Sequence, residues 1–257
     1  MTANKITYRE FEPDLRLKDF IKSYWYFNIR TNTVKPFDVL PDGYFDLMVV
    51  IKENQIVATR LTGIWSKSIS ISYSENTEVF GIRFKPLSIG GLFRFNIKDS
   101  LDDSQNVLLR DFDLNEQILI DCLNGFPEFL VNYLDKQFLK LLPNNRTDGR
   151  LKKCFELIDT TVGNIKVDEI SQTIGLSSRQ LHRLVNKMIG IGIKDYSKII
   201  RFKKSLRVVK DSKSDYFHYY DQSHYIREIK QFTGLTPEKL DLKNNDRFIQ
   251  YYDFEPI

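Results

Sequence analysis

The sequence predicts an α+β fold in which a β-rich N-terminal domain with helices, resembling a sandwich or small barrel, precedes an all-α domain. Short runs rich in β-branched and aromatic residues fill the first hundred positions, and helical periodicity dominates after Pro86. The polar stretch PNNRTDG at 143–149 has no apolar anchor. We therefore place the boundary there, with domains at 1–142 and 150–242. A chain of 257 residues is long enough for both to bury a core.

Five runs in the N-terminal domain are predicted strands. They are SYWYFNI, YFDLMVVI, QIVATRL, SISISYS and EVFGIRF, with turns at PDG (41–43) and KEN (52–54). Ile69, Ile71 and Tyr73 alternate with serines, which is typical of a strand with one buried face. Three helical runs follow: PLSIGGLFRF, LNEQILIDCL and FPEFLVNYLDKQFLKLL.

Composition indicates a globular protein of the cytoplasm. Apolar residues make up 42% and charged residues 28% of the chain, and no apolar run approaches the length of a membrane span. The N-terminus MTANKITYREFEPD lacks the basic and apolar regions of a secretory signal. The two cysteines, Cys122 and Cys154, lie far apart in apolar helical patterns, so we expect core packing rather than a disulfide.

The N-terminal domain lacks the residues of common catalytic and metal sites. All three histidines follow position 180, so residues 1–145 hold no imidazole for a metal or a nucleophile's base. Carboxylates cluster around the PDG turn, and we interpret them as turn caps and solvated strand ends: Asp38, Asp42, Asp46 and Glu53. We expect no enzyme activity, cofactor or metal. The domain is expected to sense an unknown small-molecule effector or to form a homodimer.

Charge is concentrated in the C-terminal part. Residues 178–213 contain 11 lysines and arginines but two acidic residues, Asp195 and Asp211. Such an excess is often a solvated helix face, yet it is also the pattern of a surface that binds nucleic acid.

The stretch VDEISQTIGLSSRQLHRLVNK, residues 167–187, predicts two short helices that cross closely. Gly175 lies between them, Ser177 can cap the second, and the small Ser171 stands four positions before the glycine. This is the pattern of a helix-turn-helix, whose second helix enters the DNA major groove. The alternative is an ordinary helical hairpin with a basic exterior. Arg179, His182 and Arg183 share the face opposite the core.

A longer helix is predicted from residue 194 to about 210. Its apolar stripe includes Tyr196, Phe202 and Leu206. Basic side chains cover the rest of its surface: Lys198, Arg201, Lys203, Lys204 and Arg207. Its lysines are expected near DNA phosphates, and Arg201 is also a candidate DNA contact. A helix of this kind can join two groove-reading units.

The stretch YYDQSHYIREIKQFTGLTP, residues 219–237, contains Asp221, Ser223 and His224, the residue types of a hydrolytic triad. Triad members come from distant parts of a fold, so sequence neighbours rarely form one. Asp221 stands where an N-cap is expected, and Gly234 follows as a stop. We therefore predict one amphipathic helix rather than an active site.

These residues resemble the AraC/XylS family of transcriptional regulators. The matching text is ISQTIGLSSRQLHRLV, GIGIKDYSKIIRFKKSL and YYDQSHYIREIKQFTGLTP, which together cover nearly all of 165–240. The resemblance implies a sequence-specific regulator with two helix-turn-helix units joined by a long helix on double-stranded DNA. By position, it implies base-facing residues in the first unit (Arg179, His182, Arg183) and the second (Gln222, Ser223, His224, Arg227). Upstream, LPDGYFDLMV and FGIRFKP resemble a domain of unknown function found fused to such regulators.

The chain departs from the family pattern at three positions and in the length of the second unit. The family usually has alanine at Ser171, proline at Ile193 and glycine at His218, and the nine residues KDSKSDYFH leave little room for a supporting helix. We predict that the second unit is a weakened reader. The alternative function is a regulatory scaffold that binds a protein partner and has weak or no affinity for DNA.

Overall fold

The structure is a computed structural model that describes residues 5–30, 36–93, 97–125, 127–142, 147–210 and 219–240. Within these ranges the fold is α+β, with a β-rich first part and helices after it, as the sequence predicts. Among the described helices, none combines the length and the apolar composition needed to cross a membrane.

The described part of the N-terminal region contains one six-stranded and one two-stranded sheet. The strands are β1 (Lys5–Phe11), β2 (Ile21–Arg30), β3 (Phe37–Val39), β4 (Phe45–Lys52), β5 (Gln55–Thr62), β6 (Ile69–Ile71), β7 (Thr77–Phe84) and β8 (Ser104–Asn106). The large sheet is antiparallel in the order β1-β2-β7-β4-β5-β8, and β3 pairs with β6. All five predicted strands are confirmed. Strands β1, β3 and β8 were not predicted.

The two predicted turns are confirmed by their backbone angles. Glu53 and Asn54 have φ of 48° and 63°, and Lys52 pairs with Gln55 across them. Positive φ at both central residues of a two-residue loop matches the right-handed twist of a hairpin. In the other turn, Gly43 has φ of 79°.

Each face of the large sheet packs against a different layer. One face is covered by the two-stranded sheet, and its aromatic cluster includes Tyr8, Trp25, Phe27 and Phe37. The opposite face packs on helices, and the ring of Phe84 meets that of Phe138 edge-on at 5.8 Å between centroids. The arrangement is a sandwich of unequal layers with helices outside.

Apart from the first, which precedes β8, the α-helices of the described residues follow the sheets. They are α1 (Ser88–Gly91), α2 (Glu116–Gly125), α3 (Pro127–Leu141), α4 (Gly149–Thr160), α5 (Val167–Ile174), α6 (Ser178–Ile189), α7 (Ile193–Lys210) and α8 (Gln222–Thr233). The helix predicted over 86–95 is wrong in its described part, residues 86–93. Only the single turn α1 forms there, because Ile89 has an extended ψ of 115° and Gly90 a φ of 87°.

One hydrophobic cluster runs from the large sheet to the last helix. It joins residues such as Phe45 and Phe84 to Phe155, Phe202 and Phe232. The predicted division into domains at 1–142 and 150–242 stays a prediction, and residues 143–146 lie outside the described ranges.

A glycine in β7 allows an aromatic side chain to cross the large sheet. Gly81 pairs with Trp25 of β2, and a Cβ at Gly81 would lie 2.0 Å from the indole ring. This close approach lets the indole Nε1 donate a hydrogen bond of 2.7 Å to Asp46 in β4. Any side chain at position 81 would break that arrangement.

We predict that Gly81→Ala destabilises the protein by about 3 kcal/mol or more, because overpacking a filled core forces side chains and backbone to move. Gly149→Ala is the matched control, since a Cβ there meets no described atom within 4 Å. The control should be neutral or slightly stabilising in urea unfolding. Equal free energies of unfolding for the two variants would contradict the close approach of Trp25.

Candidate nucleic-acid interface

Helices α5 and α6 are joined by a short turn with strong local signals. Helix α5 ends at Gly175, whose φ of 68° suits glycine, and the backbone nitrogens of Gly175 and Leu176 bond back to α5 carbonyls. Helix α6 begins after Ser177, whose hydroxyl accepts a hydrogen bond from the backbone of Gln180 while the Gln180 side chain returns to Ser177. This reciprocal cap fixes the direction of α6.

The small residue predicted at the crossing of α5 and α6 is buried. Ser171 is 4% exposed, and within the described residues its hydroxyl has no hydrogen-bond partner. Ile170 of α5 and Leu181 and Val185 of α6 are fully buried. A small side chain suits the close crossing of α5 and α6, but a buried hydroxyl without a hydrogen-bond partner lowers the stability of the fold.

The outer face of α6 carries the basic residues that the sequence singled out. Arg179, His182 and Arg183 are exposed, and spacings of three and four residues place them on one side of the helix. Lys187 is also exposed, one turn after Arg183, and continues this face. Sequence reasoning missed Lys187, although the i, i+4 spacing from Arg183 could have identified it. The imidazole of His182 leans toward Gly192, where a Cβ would lie 2.9 Å from Nε2.

Helix α7 presents fewer free cations than its sequence indicates. Lys204 is exposed, and the partly buried Lys198 pairs with Asp195 at 2.9 Å. Of the remaining basic residues, Arg201 and Lys203 contact other parts of the protein. The side chain of Arg207 is not among those that the structure describes.

Arg201 faces α8 rather than solvent, which corrects the expected exposed position. Its Nε and Nη2 donate to the two carboxylate oxygens of Glu228 at 3.1 and 2.7 Å. The side chains are 12% and 4% exposed, so the pair is buried. Tyr219 adds a hydrogen bond of 3.0 Å from its hydroxyl to Glu228 and places its ring against the guanidinium.

Lys203 faces the N-terminal region, which corrects the second expected position. Its Nζ lies 3.7 Å from the centre of the Tyr44 ring, next to the turn in which Asp42 accepts a hydrogen bond from the backbone of Tyr44. In the same turn, a Cβ at Gly43 would lie 2.9 Å from Ile200 of α7. Burial lowers the pKa of Lys203 to about 7, and the carboxylate of Asp42 opposes that fall.

Helix α8 forms as predicted. Asp221 is the N-cap, because its Oδ1 accepts a hydrogen bond of 2.7 Å from the backbone nitrogen of His224, and Gly234 ends the helix at φ of 73°. Gln222, Ser223 and Arg227 are exposed. The supporting segment and His218 fall within 211–218, outside the described residues, so the predicted weakening of this unit remains a prediction.

His224 is partly exposed and lies beside the buried carboxylate of Glu228. Its Nε2 lies 3.8 Å from Oε2 of Glu228, and its ring meets that of Tyr219 edge-on at 5.5 Å. The imidazole therefore borders the buried carboxylate, while 41% of the His224 side chain stays exposed.

The carboxylates near the PDG turn do not all have one role. Asp42 caps the turn, as expected. The prediction that Asp46 is a solvated strand end is wrong. Asp46 is only 9% exposed, and its carboxylate accepts a hydrogen bond from the indole of Trp25 and one of 3.3 Å from Arg83. Burial raises the pKa of Asp46 to about 6, against the lowering effect of Arg83. Arg83 also pairs with Glu10 at 3.1 Å.

Residues 9–105 match a family model described as a domain of unknown function (DUF6597). The match covers both upstream stretches in which the sequence resembles such a domain. No curated protein matches the chain.

Two solved structures of ToxT from Vibrio cholerae are similar to the chain along most of its length. One, at 1.65 Å resolution, shares 15% identity with a TM-score of 0.43 and covers 91% of this chain and 96% of ToxT. The other, with an unsaturated fatty acid bound, shares 14% identity with a TM-score of 0.42 and covers 92% and 95%. At these identities and scores the likeness carries no functional weight.

The pKa of Lys203 predicts a pH-dependent stability. An unfolded lysine titrates near 10.4, so between pH 7 and pH 10 the unfolded chain binds more protons than the folded one, and the free energy of unfolding rises with pH. Lys203→Met should remove that slope, so that its stability relative to the natural protein falls by about 1–3 kcal/mol from pH 7 to pH 9.5. Urea unfolding of both proteins at pH 7 and pH 9.5 measures this difference in the free energy of unfolding. The exposed neighbour variant Lys204→Met should show no such trend, and a shared trend would contradict the burial of Lys203.

The unpartnered hydroxyl of Ser171 predicts a stabilising substitution. Ser171→Ala should raise the free energy of unfolding by about 1 kcal/mol, because it removes a buried polar group without a partner. Ser178→Ala is the control, since that hydroxyl donates a hydrogen bond of 2.7 Å to Asp168 and its loss should be slightly destabilising. A destabilising Ser171→Ala would show that the hydroxyl has a partner after all.

Proposed function

We propose that this chain is a sequence-specific, DNA-binding transcription regulator of the AraC/XylS type. In the proposal, α5 and α6 form the first helix-turn-helix, and α7 links it to a second unit that contains α8. The observation that carries the proposal is the exposed basic face of α6, on a helix whose direction is fixed by Gly175 and the Ser177 cap.

The side chains of that face suit major-groove readout. Arginine donates two hydrogen bonds in a fixed fork, which match O6 and N7 of guanine, and histidine can donate to or accept from base edges. Arg179 and Arg183 are therefore proposed to read guanines, with His182 between them on the same face. Lys187, at the far end of the helix, is placed to meet a phosphate.

The proposed phosphate contacts of α7 are reduced to Lys198 and Lys204. Arg201 and Lys203 leave the interface in this proposal, because both are engaged by side chains of the protein itself. Phosphate contacts add affinity and salt dependence without selecting sequence. The loss of two cations predicts a shallower salt dependence than the sequence alone indicates.

Helix α8 is proposed as a second, weaker reader. Gln222, Ser223 and Arg227 are exposed and suit a groove, whereas His224 leans toward Glu228. Fewer side chains are then available to distinguish bases than on α6.

The N-terminal domain is proposed to regulate the DNA-binding helices. Its turn at 41–44 packs directly on α7 through Gly43 and Tyr44. A small-molecule effector or a homodimer contact that moves this turn would therefore act on α7. We further propose that the protein acts in the cytoplasm, without catalysis, metal or cofactor.

The proposal predicts a division of labour among basic residues. After selection of a preferred site from a random DNA pool, alanine at Arg179, His182 and Arg183 should each cost about 1–3 kcal/mol on that site and little on random DNA. Lys204→Ala should weaken both DNAs alike and flatten the salt dependence. The triple variant of Gln222, His224 and Arg227 should lose less discrimination than the triple variant of α6.

The same experiment tests the alternative. If no sequence is enriched and binding is weak at low salt, the scaffold that binds a protein partner replaces this proposal. Equal losses of the α6 variants on both DNAs would reassign their residues to phosphate contact.

A further inference from the structure

A buried carboxylate stands at a core-facing position of α8. Glu228 lies three residues after Tyr225 and four before Phe232, both buried, and is itself 4% exposed. A charge at such a position is costly unless it is paired and hydrogen-bonded. Its presence calls for a role that an apolar side chain cannot perform.

The partners of Glu228 come from three places in the chain. Arg201 of α7 binds both carboxylate oxygens, Tyr219 before α8 donates from its hydroxyl, and His224 one turn earlier approaches to 3.8 Å. Tyr219 also lies 3.2 Å from the hydroxyl of Ser205 on α7. In this cluster, defined as Glu228, Arg201, Tyr219, His224 and Ser205, the bonds of Arg201 and Ser205 join α7 to α8 and to Tyr219 before it, and His224 adds a contact within α8.

The geometry of this cluster restricts the angle between the two helices. A bidentate pair of guanidinium and carboxylate is satisfied only when the two planar groups are aligned. Apolar contacts also hold the helices together, and the ring centroids of Phe202 and Phe232 lie 4.5 Å apart. Such contacts allow one helix to rotate against the other more easily than a bidentate ion pair does. The ion pair therefore fixes the angle between α7 and α8, which the apolar contact alone leaves freer.

We propose that Glu228 is a positioning residue: through Arg201 it sets the angle at which α8 faces DNA, and it holds the imidazole of His224 beside the ion pair. The inference rests on the proposed function, because α8 must meet DNA for its angle to matter. It assigns the orientation of α8 to the long helix α7 and gives His224 a supporting role instead of base readout.

The first test measures the angle without DNA. Two spin labels replace the exposed Lys194 on α7 and Gln231 on α8. Unnatural residues carry the labels, because the partly exposed Cys122 would compete for thiol reagents. The distance distribution should be narrow in the natural chain and clearly broader in Glu228→Gln. The matched control Glu238→Gln, an exposed glutamate after α8, should leave it narrow. An unchanged distribution in Glu228→Gln overturns the proposal.

The second test separates positioning from stability. The double variant Glu228→Leu, Arg201→Met removes both charges, and buried ion pairs replaced by apolar residues often keep or gain stability. It should recover the stability lost in Glu228→Gln. Discrimination at base pairs that depend on Arg227 should nevertheless fall about tenfold in both variants, while base pairs that depend on Arg179 keep theirs. If restored stability also restores discrimination, Glu228 is only structural and the proposal is wrong.

The two tests fail in distinguishable ways. If the natural chain selects no DNA sequence, the proposed function fails, and the spin-label distances still decide whether Glu228 sets the angle. If it selects a site that Glu228→Gln reads as well as the natural chain does, the proposed function stands and the role of Glu228 is overturned.

Discussion

Helix α7 is the support on which the other parts of the C-terminal region depend. Tyr196, Ile199 and Phe202 are buried on it, and the helix packs against α4, α6 and α8. The α4–α5 loop lies so close that a Cβ at Gly163 would be 2.1 Å from the carbonyl oxygen of Ser197. Helix α8 is bound through Glu228 and the N-terminal turn through Tyr44. A shift of α7 would therefore change all of these contacts together.

This dependence explains why charge on α7 cannot be read as a DNA-binding surface alone. A lysine or arginine on an amphipathic helix has the same sequence signature whether it faces phosphate, a carboxylate or an aromatic ring. Arg201 meets Glu228, 27 positions later, and Lys203 meets Tyr44 from the other end of the chain. Neither partner is detectable from local periodicity. Only the tertiary structure separates these two cations from the exposed Lys204.

Local signals, in contrast, could be predicted from the sequence. Ser177, Asp221 and the glycines at 175 and 234 act at their own helix ends, and all four occupy the predicted positions. The long alternating strands were also predictable. Short strands such as β3 and β8 were not, because three residues carry too little pattern to distinguish them from loops. The helix predicted over 86–95 was wrong in its described part because the apolar residues of this run suit a helix, whereas Gly90 adopts a backbone conformation that ends a helix.

The proposed function requires α7 to hold two helices against successive major-groove segments of DNA. Methylation interference at guanine N7, an atom exposed in the major groove, tests it most directly on a site selected from random DNA. We expect two clusters of interfering guanines on one face of the duplex, about one helical turn apart. The stronger cluster should be the one that disappears in Arg179→Ala. A single cluster, or interference independent of Arg179, would contradict it.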